Sequence, residues 1–447
     1  MLTQRWGRAV VVGSSIAGLL VARVLSEHFR EVVLVERDRL PDGDERRPGT
    51  PQARHVHGLL ARGAGCLEEF FPGLGEELSA AGAPRIDHGL GARTQVVAGT
   101  FPATETGITV QTVHRDTLEA AVRRRVTALE QITVLDGTRV EGLLWDAAGR
   151  RVTGVRLTAA TAERQARAEG ADLVVDASGR FSQLPEWLEQ AGYPSPSRTV
   201  VDPHLAYVSR LIAVPRPFEG IHGFQQMCQA PDQPGGAYAA DVGNGRWLVT
   251  LFGAGNQHPP TDEAGWNEFA AGLGNKHLDI LLKNATPLAP LHQFKQTRNQ
   301  RYDYAALRRW PDRLLAVGDS VCAFNPVFGQ GMDIAVREAV ELGRELTKCR
   351  ELNGTTRRLQ RRIARLTRIP WAMSTSEDWM WHYAVQGRRA PLPLRAVAWY
   401  KARLLRLAVH DPAVVRVFVR VFHRLASPVA LAHPSILAKV LLRPRGA

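Results

Sequence analysis

Gly318-Asp319-Ser320-Val321-Cys322-Ala323-Phe324-Asn325-Pro326-Val327-Phe328-Gly329-Gln330-Gly331-Met332 is the stretch whose reading decides the fold. It follows an apolar run, Leu314 to Val317, and leads into a segment, Asp333 to Leu346, with apolar residues at helical spacing. The order is strand, Gly-Asp turn, Asn-Pro kink, Gly-x-Gly and helix. Such a helix start leaves N–H groups unpaired and favours negative charge. Here those groups belong to Gly329, Gln330, Gly331 and Met332. Asp319 offers a carboxylate to sugar-type hydroxyls, and Pro326 offers a rigid face. The combination suits a polar chain that ends in a flat ring able to become anionic.

A second unit of the same kind opens the chain. Arg8–Gly13 is a buried-strand run, Ile16 to Phe29 reads as a helix, and Glu31 to Glu36 reads as the next strand. This βαβ opening implies a parallel sheet with crossover helices. Gly13-Ser14-Ser15-Ile16-Ala17-Gly18 matches the dinucleotide fingerprint, with Ser15 where the middle glycine normally admits a pyrophosphate. Glu36, beside Arg37, lies eighteen residues past Gly18, where an acid accepts hydrogen bonds from a ribose. The fingerprint alone does not separate NAD from FAD. The second unit, about 300 residues downstream, selects FAD. One unit takes the adenosine half and the other the ribityl–flavin half.

A chain of 447 residues is too long for one ordinary core. With 45% hydrophobic and 23% charged residues it reads as a soluble globular protein. A net charge of +13 admits nucleic acid, an anionic membrane or an acidic ligand, but no nucleic-acid signature accompanies it. The four cysteines are scattered, which fits a reducing cytoplasm rather than a disulfide or zinc framework. No signal peptide and no spanning segment is expected.

The expected architecture is α/β. A Rossmann-like FAD-binding domain of the glutathione-reductase type occupies 1–185 and returns at 298–355. A mostly antiparallel β-sheet substrate domain is inserted at 186–297, read from alternating segments at 205–214 and 246–252. Residues 356–447 form a helical, Arg-rich C-terminal region. There Arg416, Arg420 and Arg424 lie four apart as a basic stripe opposite Val415, Phe418, Val419 and Phe422. Such a stripe packs on its own domain or touches a membrane surface; the first is preferred.

Pro51-Gln52-Ala53-Arg54-His55-Val56-His57 contains His-x-His, but no third ligand at metal spacing, so no metal is expected. Arg54 is a candidate to neutralise phosphate or shape the flavin pocket. Arg115 opens a helix over 115–129 and is a candidate for the adenosine side. Trp379-Met380-Trp381-His382-Tyr383, with Trp371, reads either as a cavity lining or as helix packing. No nucleophile motif is present.

These residues resemble the FAD-dependent monooxygenases of the para-hydroxybenzoate-hydroxylase type, over about residues 8–375. Within that group the chain is similar to bacterial polyether epoxidases of the lasalocid and monensin kind. The resemblance rests on Val10–Gly18 with Glu36, Pro51–His55, Ala171–Asp176 with Gly179-Arg180, and above all Gly318–Met332. It implies that O2 and reduced FAD form a C4a-hydroperoxide that transfers oxygen to a large apolar substrate, by epoxidation or hydroxylation. Electrons would come from NAD(P)H or from a partner reductase. Asp176-Ala177-Ser178-Gly179 lacks the Asp-Gly pair that often gates NAD(P)H. Trp379-Met380-Trp381 continues as His-Tyr, unlike the Trp-x-Trp-x-Ile-Pro of flavin halogenases. No base for ionising a phenol stands out, which leans toward alkene oxidation. A non-redox cyclase keeping FAD as a structural element, and a membrane-surface binder, stay open as other readings.

Overall fold

Five parallel strands form the centre of the protein, whose structure, a computed structural model, describes residues 6–159, 166–215 and 218–442. Their order across the sheet is Leu314–Ala316, Leu173–Asp176, Trp6–Val12, Phe29–Val35 and Ile132–Leu135. Ala9 to Val11 are fully buried, as are Leu314 to Ala316. Strands covered on both faces carry unbroken apolar runs instead of alternation, which is why these segments stand out in the sequence. The helices Ile16–Leu25 and Gln330–Lys348 pack on each other, with Gly343 leaving room for Val24.

The register aligns the strand ends. Val12 pairs with both Val35 and Asp176, and Asp176 pairs with Ala316. The turns carrying Gly13, Glu36, Ala177 and Gly318 therefore emerge together from the carboxyl edge of the sheet, where ligands of open α/β sheets bind.

The second large sheet has eight strands. Residues 206–294 supply six of them. The other two, Ala92–Val96 and Gly99–Thr100, come from a part of the chain that reads as continuous with the first domain. Ala92–Val96 joins through a parallel pairing with Gly223–Gln226. Side chains alternate between the two faces of this sheet. Val208, Phe224, Val249 and Leu251 meet Trp266, Leu278 and Leu281 of two covering helices. Tyr207, Tyr238, Phe252 and Phe294 cluster on the opposite side with Val327 and Trp381. This aromatic face looks toward the parallel-sheet domain.

Five helices follow the last sheet helix: Thr355–Leu366, Arg368–Val385, Leu392–Ala408, Pro412–Phe422 and Pro434–Leu442. The last three close over Val96, Phe101 and Ile108. The expected basic stripe is interrupted. The helix ends at Phe422, and Arg424, at φ +61°, turns inward and is buried with its Nη1 toward Met373. Trp381 belongs to the aromatic face and Trp371 stacks under Arg301, so these tryptophans serve packing. No described helix is long and apolar enough to cross a membrane.

Candidate functional site

The first turn is built by close approach. Gly13 has φ +98°, and a Cβ there would lie 2.6 Å from the Ala177 carbonyl oxygen. A Cβ on Gly18 would collide with the Gly13 carbonyl oxygen. The first intrahelical bond runs from Leu19 N–H to the Ser15 carbonyl at 2.9 Å. Ile16, Ala17 and Gly18 thus present N–H groups at the helix mouth.

Around that mouth lies a buried charge network. Glu36 accepts from Ser14 N and Ser14 Oγ, both at 2.9 Å, and pairs with Arg47 at 3.0 Å. Arg47 also donates to Glu119 from Nε and Nη2, at 3.0 and 2.8 Å. Arg115 pairs with Glu119 at 2.7 Å and donates to Ser15 Oγ at 3.2 Å. Ser15 Oγ donates in turn to Glu119 at 3.1 Å. Burial pushes the Glu119 carboxyl up, but Arg115 and Arg47 more than reverse this and hold it below the usual range. Arg115 Nη1 is buried and has no partner among the described residues. A guanidinium that is 6% exposed with its Nη1 unpaired beside an engaged Nη2 points to an anion that would complete it. Ser15 therefore does more than replace a glycine, because its hydroxyl holds Arg115 against the helix mouth.

The second unit meets the first directly. Gly318 has φ +63°, and a Cβ on it would stand 2.9 Å from Ala17 Cβ. Gly318 N–H donates to Glu338 at 2.6 Å. Asp319 is open to solvent at the surface, yet protein surrounds it on most sides, as in a concave slot. Poor solvation pushes its carboxyl upward, and Arg180 pulls the other way. Gly331, with nothing beyond Cα, leaves the path to Asp319 clear. Gly329 starts the long helix at φ +61° and faces the Gly58 carbonyl. Gln330 is buried, donating to Phe328 O at 3.1 Å, while its Oε1 has no partner among the described residues. Met332 packs on the central core.

The turn at Pro326 is fixed from beneath. Asn325 Nδ2 donates to Asp378 at 2.9 Å, and Asn325 N–H donates to Asn299 Oδ1 at 2.9 Å. Tyr207 and Tyr238 hydroxyls donate to Asn325 Oδ1 and the Val327 carbonyl, at 3.3 and 3.1 Å. Pro326 itself is half-buried on top.

Two candidates make other contacts. Arg37 is half-exposed beside Asp38 at 4.0 Å, and it is Arg47 that reaches Glu36. Arg54 stands at the sheet side, with Nη1 2.8 Å from His292 Nδ1. Arg47, Glu119 and Asp378 were not singled out from sequence. The only local signal was the i,i+4 spacing of Arg115 and Glu119 on a helix.

The FAD binding domain family matches residues 8–376. The chain belongs to this family. Protein Rv3254 of Mycobacterium tuberculosis is 33% identical over 454 residues, covering 97% of this chain and 93% of that protein. Among solved structures, PqsL of Pseudomonas aeruginosa, described as a probable FAD-dependent monooxygenase, has a TM-score of 0.61 at 17% identity. That match covers 86% of this chain and all of PqsL. The flavin-dependent brominase Bmp2 has a TM-score of 0.63 at 14% identity, covering 94% of this chain and 99% of Bmp2. The protein is thus an FAD-binding flavoprotein whose fold is shared by monooxygenases and halogenases.

The residues present fit FAD. The orphaned Arg115 Nη1 and the free N–H groups of Ile16 to Gly18 suit a diphosphate, and Glu36 suits the adenosine ribose. Asp319 and the helix start at Gly329 to Met332 suit the ribityl chain and ring. An Arg115→Met variant is expected to bind FAD roughly 10- to 100-fold more weakly, about 1.5–3 kcal/mol for a lost charge-assisted hydrogen bond. Flavin titration of the apoprotein measures it, and unchanged affinity would remove Arg115 from the site.

Proposed function

We propose that this flavoprotein transfers one oxygen atom from O2 to a large, mostly apolar molecule, as an epoxidase or hydroxylase of secondary metabolism. The observation that carries this reading is the pair of tyrosine bonds to the Asn325–Phe328 turn. They fix an aromatic wall of Tyr207, Tyr238, Phe252 and Phe294 against the segment assigned to the flavin ring. An apolar substrate held there would lie beside the ring with water excluded, the condition oxygen transfer needs. Bound FAD supplies the redox chemistry. The chain's part is to orient the substrate on the aromatic wall, to support negative charge at the Gln330 to Met332 N–H groups, the Gly329 N–H being spent on the Pro326 carbonyl at 3.0 Å, and to keep the slot dry.

Asp176 bears on the electron source. Its carboxylate accepts from Ser178 N at 3.0 Å and from the Ser178 and Ser182 hydroxyls, both at 2.5 Å. It is committed to shaping its own turn, which supports a separate reductase over a nicotinamide gate. Trp381 is committed to the aromatic cluster, which supports oxygenation over halogenation.

The test starts from the purified protein, expected to be yellow. Reduced by an added flavin reductase and NADH, it is offered apolar alkenes and arenes with and without bromide and chloride. Products carrying one added oxygen, independent of halide, are expected. Halogenated products would make it a halogenase, and turnover without O2 or reductant would make it a cyclase.

A further inference from the structure

His55 stands at the meeting point of three elements. Its ring lies 5.8 Å from Tyr207 and 5.3 Å from Phe294 on the aromatic wall. Two residues on, His57 senses Arg115, and Gly58 faces Gly329 at the start of the long helix. The imidazole is 2% exposed and sits over two hydroxyls. Its Nδ1 is 2.6 Å from Ser209 Oγ, which is 2.7 Å from Thr250 Oγ1. Thr250 Oγ1 also accepts the Val56 N–H at 3.0 Å.

Either direction of this chain leaves one hydrogen without a protein partner, and where that hydrogen lies separates the two. If Nδ1–H donated to Ser209 and Ser209 to Thr250, the Thr250 hydroxyl hydrogen would have no acceptor among the described residues. Stranding a buried hydroxyl hydrogen is unfavourable. If instead Thr250 donates to Ser209, and Ser209 to Nδ1, every hydroxyl hydrogen is used. The ring proton then resides on Nε2, which has no partner among the described residues but is not fully enclosed, so an outside acceptor can reach it, as none can reach the Thr250 hydroxyl inside the sheet.

We propose that His55 presents its Nε2–H to a neutral oxygen acceptor of the substrate, a carbonyl or ether oxygen on an otherwise apolar skeleton. This makes His55 a specificity-determining residue, and it rests on the reading of the aromatic face as the substrate wall. Its surroundings keep the ring neutral. Burial pushes its pKa down to about 3, and His57, His292, Arg54 and Arg46 add to that. No carboxylate is among these influences. A neutral donor suits a neutral oxygen; a carboxylate ligand would call for a cation. With so low a pKa the ring is also too weak a base to ionise a phenol.

Two measurements test this. The first is a long-range 1H–15N spectrum of histidine-labelled protein, with the His55 signal assigned by its loss in His55→Gln. It is expected to show a neutral ring with the proton on Nε2 throughout the neutral pH range. In Ser209→Ala, which removes the donor to Nδ1, a share of Nδ1–H should appear. A wild-type ring protonated on Nδ1, or a cation at neutral pH, overturns the proposal. This spectrum is readable on colourless protein too, so it fails independently of the flavin reading. The second compares two shape-matched probes, 2-acetylnaphthalene and 2-isopropenylnaphthalene, by perturbation of flavin absorbance in the holoprotein. The wild type should prefer the ketone by about tenfold. His55→Phe should bring the ratio near one, and His55→Gln, which keeps an N–H donor, should restore part of it. No preference in the wild type, including failure of both probes to bind at millimolar concentration, overturns the ligand assignment.

Discussion

A Gly18→Ala variant is expected to emerge colourless and destabilised by about 3 kcal/mol, while Gly65→Ala is expected to gain about 0.5–1 kcal/mol. Both glycines lie in helices, Ile16–Leu25 and Ala61–Phe70. Alanine is the better helix former at each. What separates them is the space outside the helix. A methyl on Gly18 collides with the Gly13 carbonyl, a backbone atom held in the sheet by its own N–H bond to Val35 O at 2.8 Å. A methyl on Gly65 meets nothing within 4 Å. Relieving the first collision means lifting the helix start off the strand, which moves the N–H groups of Ile16 to Gly18 away from any diphosphate. Thermal melts with flavin absorbance read both effects. A yellow Gly18→Ala protein of wild-type stability would show that the turn has slack that the structure denies it.

The same contrast explains what could be read from the sequence. The two strand–turn–helix units are local: a buried run such as Val10 to Val12, a glycine turn, an acid at the end of the next strand. Each is written within a few tens of residues, so the parallel core and the two turns that meet at its carboxyl edge were legible. The Arg47–Glu119 bond joins residues 72 apart, and Asn325–Asp378 joins residues 53 apart. No local pattern announces such pairs, because either partner alone reads as an ordinary surface charge or helix residue. The strand Ala92–Val96 is short, and its partner Gly223–Gln226 lies far along the chain. It cannot show its membership of the large sheet before tertiary contact is known. The basic stripe misled for a different reason. Spacing by four assumes a continuing helix, and the αL turn at Arg424 ends it. His55 had the right residue type, but its role depends on Ser209 and Thr250, about 150 and 200 residues away.

Asp378 yields the second large effect, through pH as well as through stability. Its carboxyl receives Asn325 Nδ2 at 2.9 and 3.2 Å and Asn299 Nδ2 at 2.5 Å, beneath the turn that carries Pro326. Asp378→Ala would leave two buried amides without an acceptor, a loss of about 2–4 kcal/mol, and would loosen the turn that holds the ring. Burial raises Asp378 to about 8, and Glu338 likewise to about 8. Unfolded carboxyls ionise near pH 4. Between there and pH 8 the folded state keeps two protons that the unfolded state releases, so stability falls as pH rises. Each group contributes about 1.4 kcal/mol per pH unit at most. Four histidines, His55 and His423 buried and His57 and His88 half-buried, act in the opposite sense. His55 and His423 are pushed down to about 3, and His57 and His88 to about 4. Below pH 6.5 the unfolded state takes up protons that the folded state refuses, so stability falls as pH drops. Burial also raises Asp176, Asp319 and Asp333 and lowers His114, His277 and His292, so each side of the balance has further members. Stability should therefore pass through a maximum between the acid range, where the histidines dominate, and the alkaline range, where the carboxyls do. Asp378→Asn, whose amide oxygen still accepts from both asparagines, should flatten the alkaline limb and steepen the acid limb, each by at most about 1.4 kcal/mol per pH unit, and so move the maximum to higher pH. Denaturant midpoints across pH for the two proteins read this directly. An alkaline limb that stays as steep in Asp378→Asn would mean that Asp378 is already ionised in the fold and that its asparagine partners hold a charge.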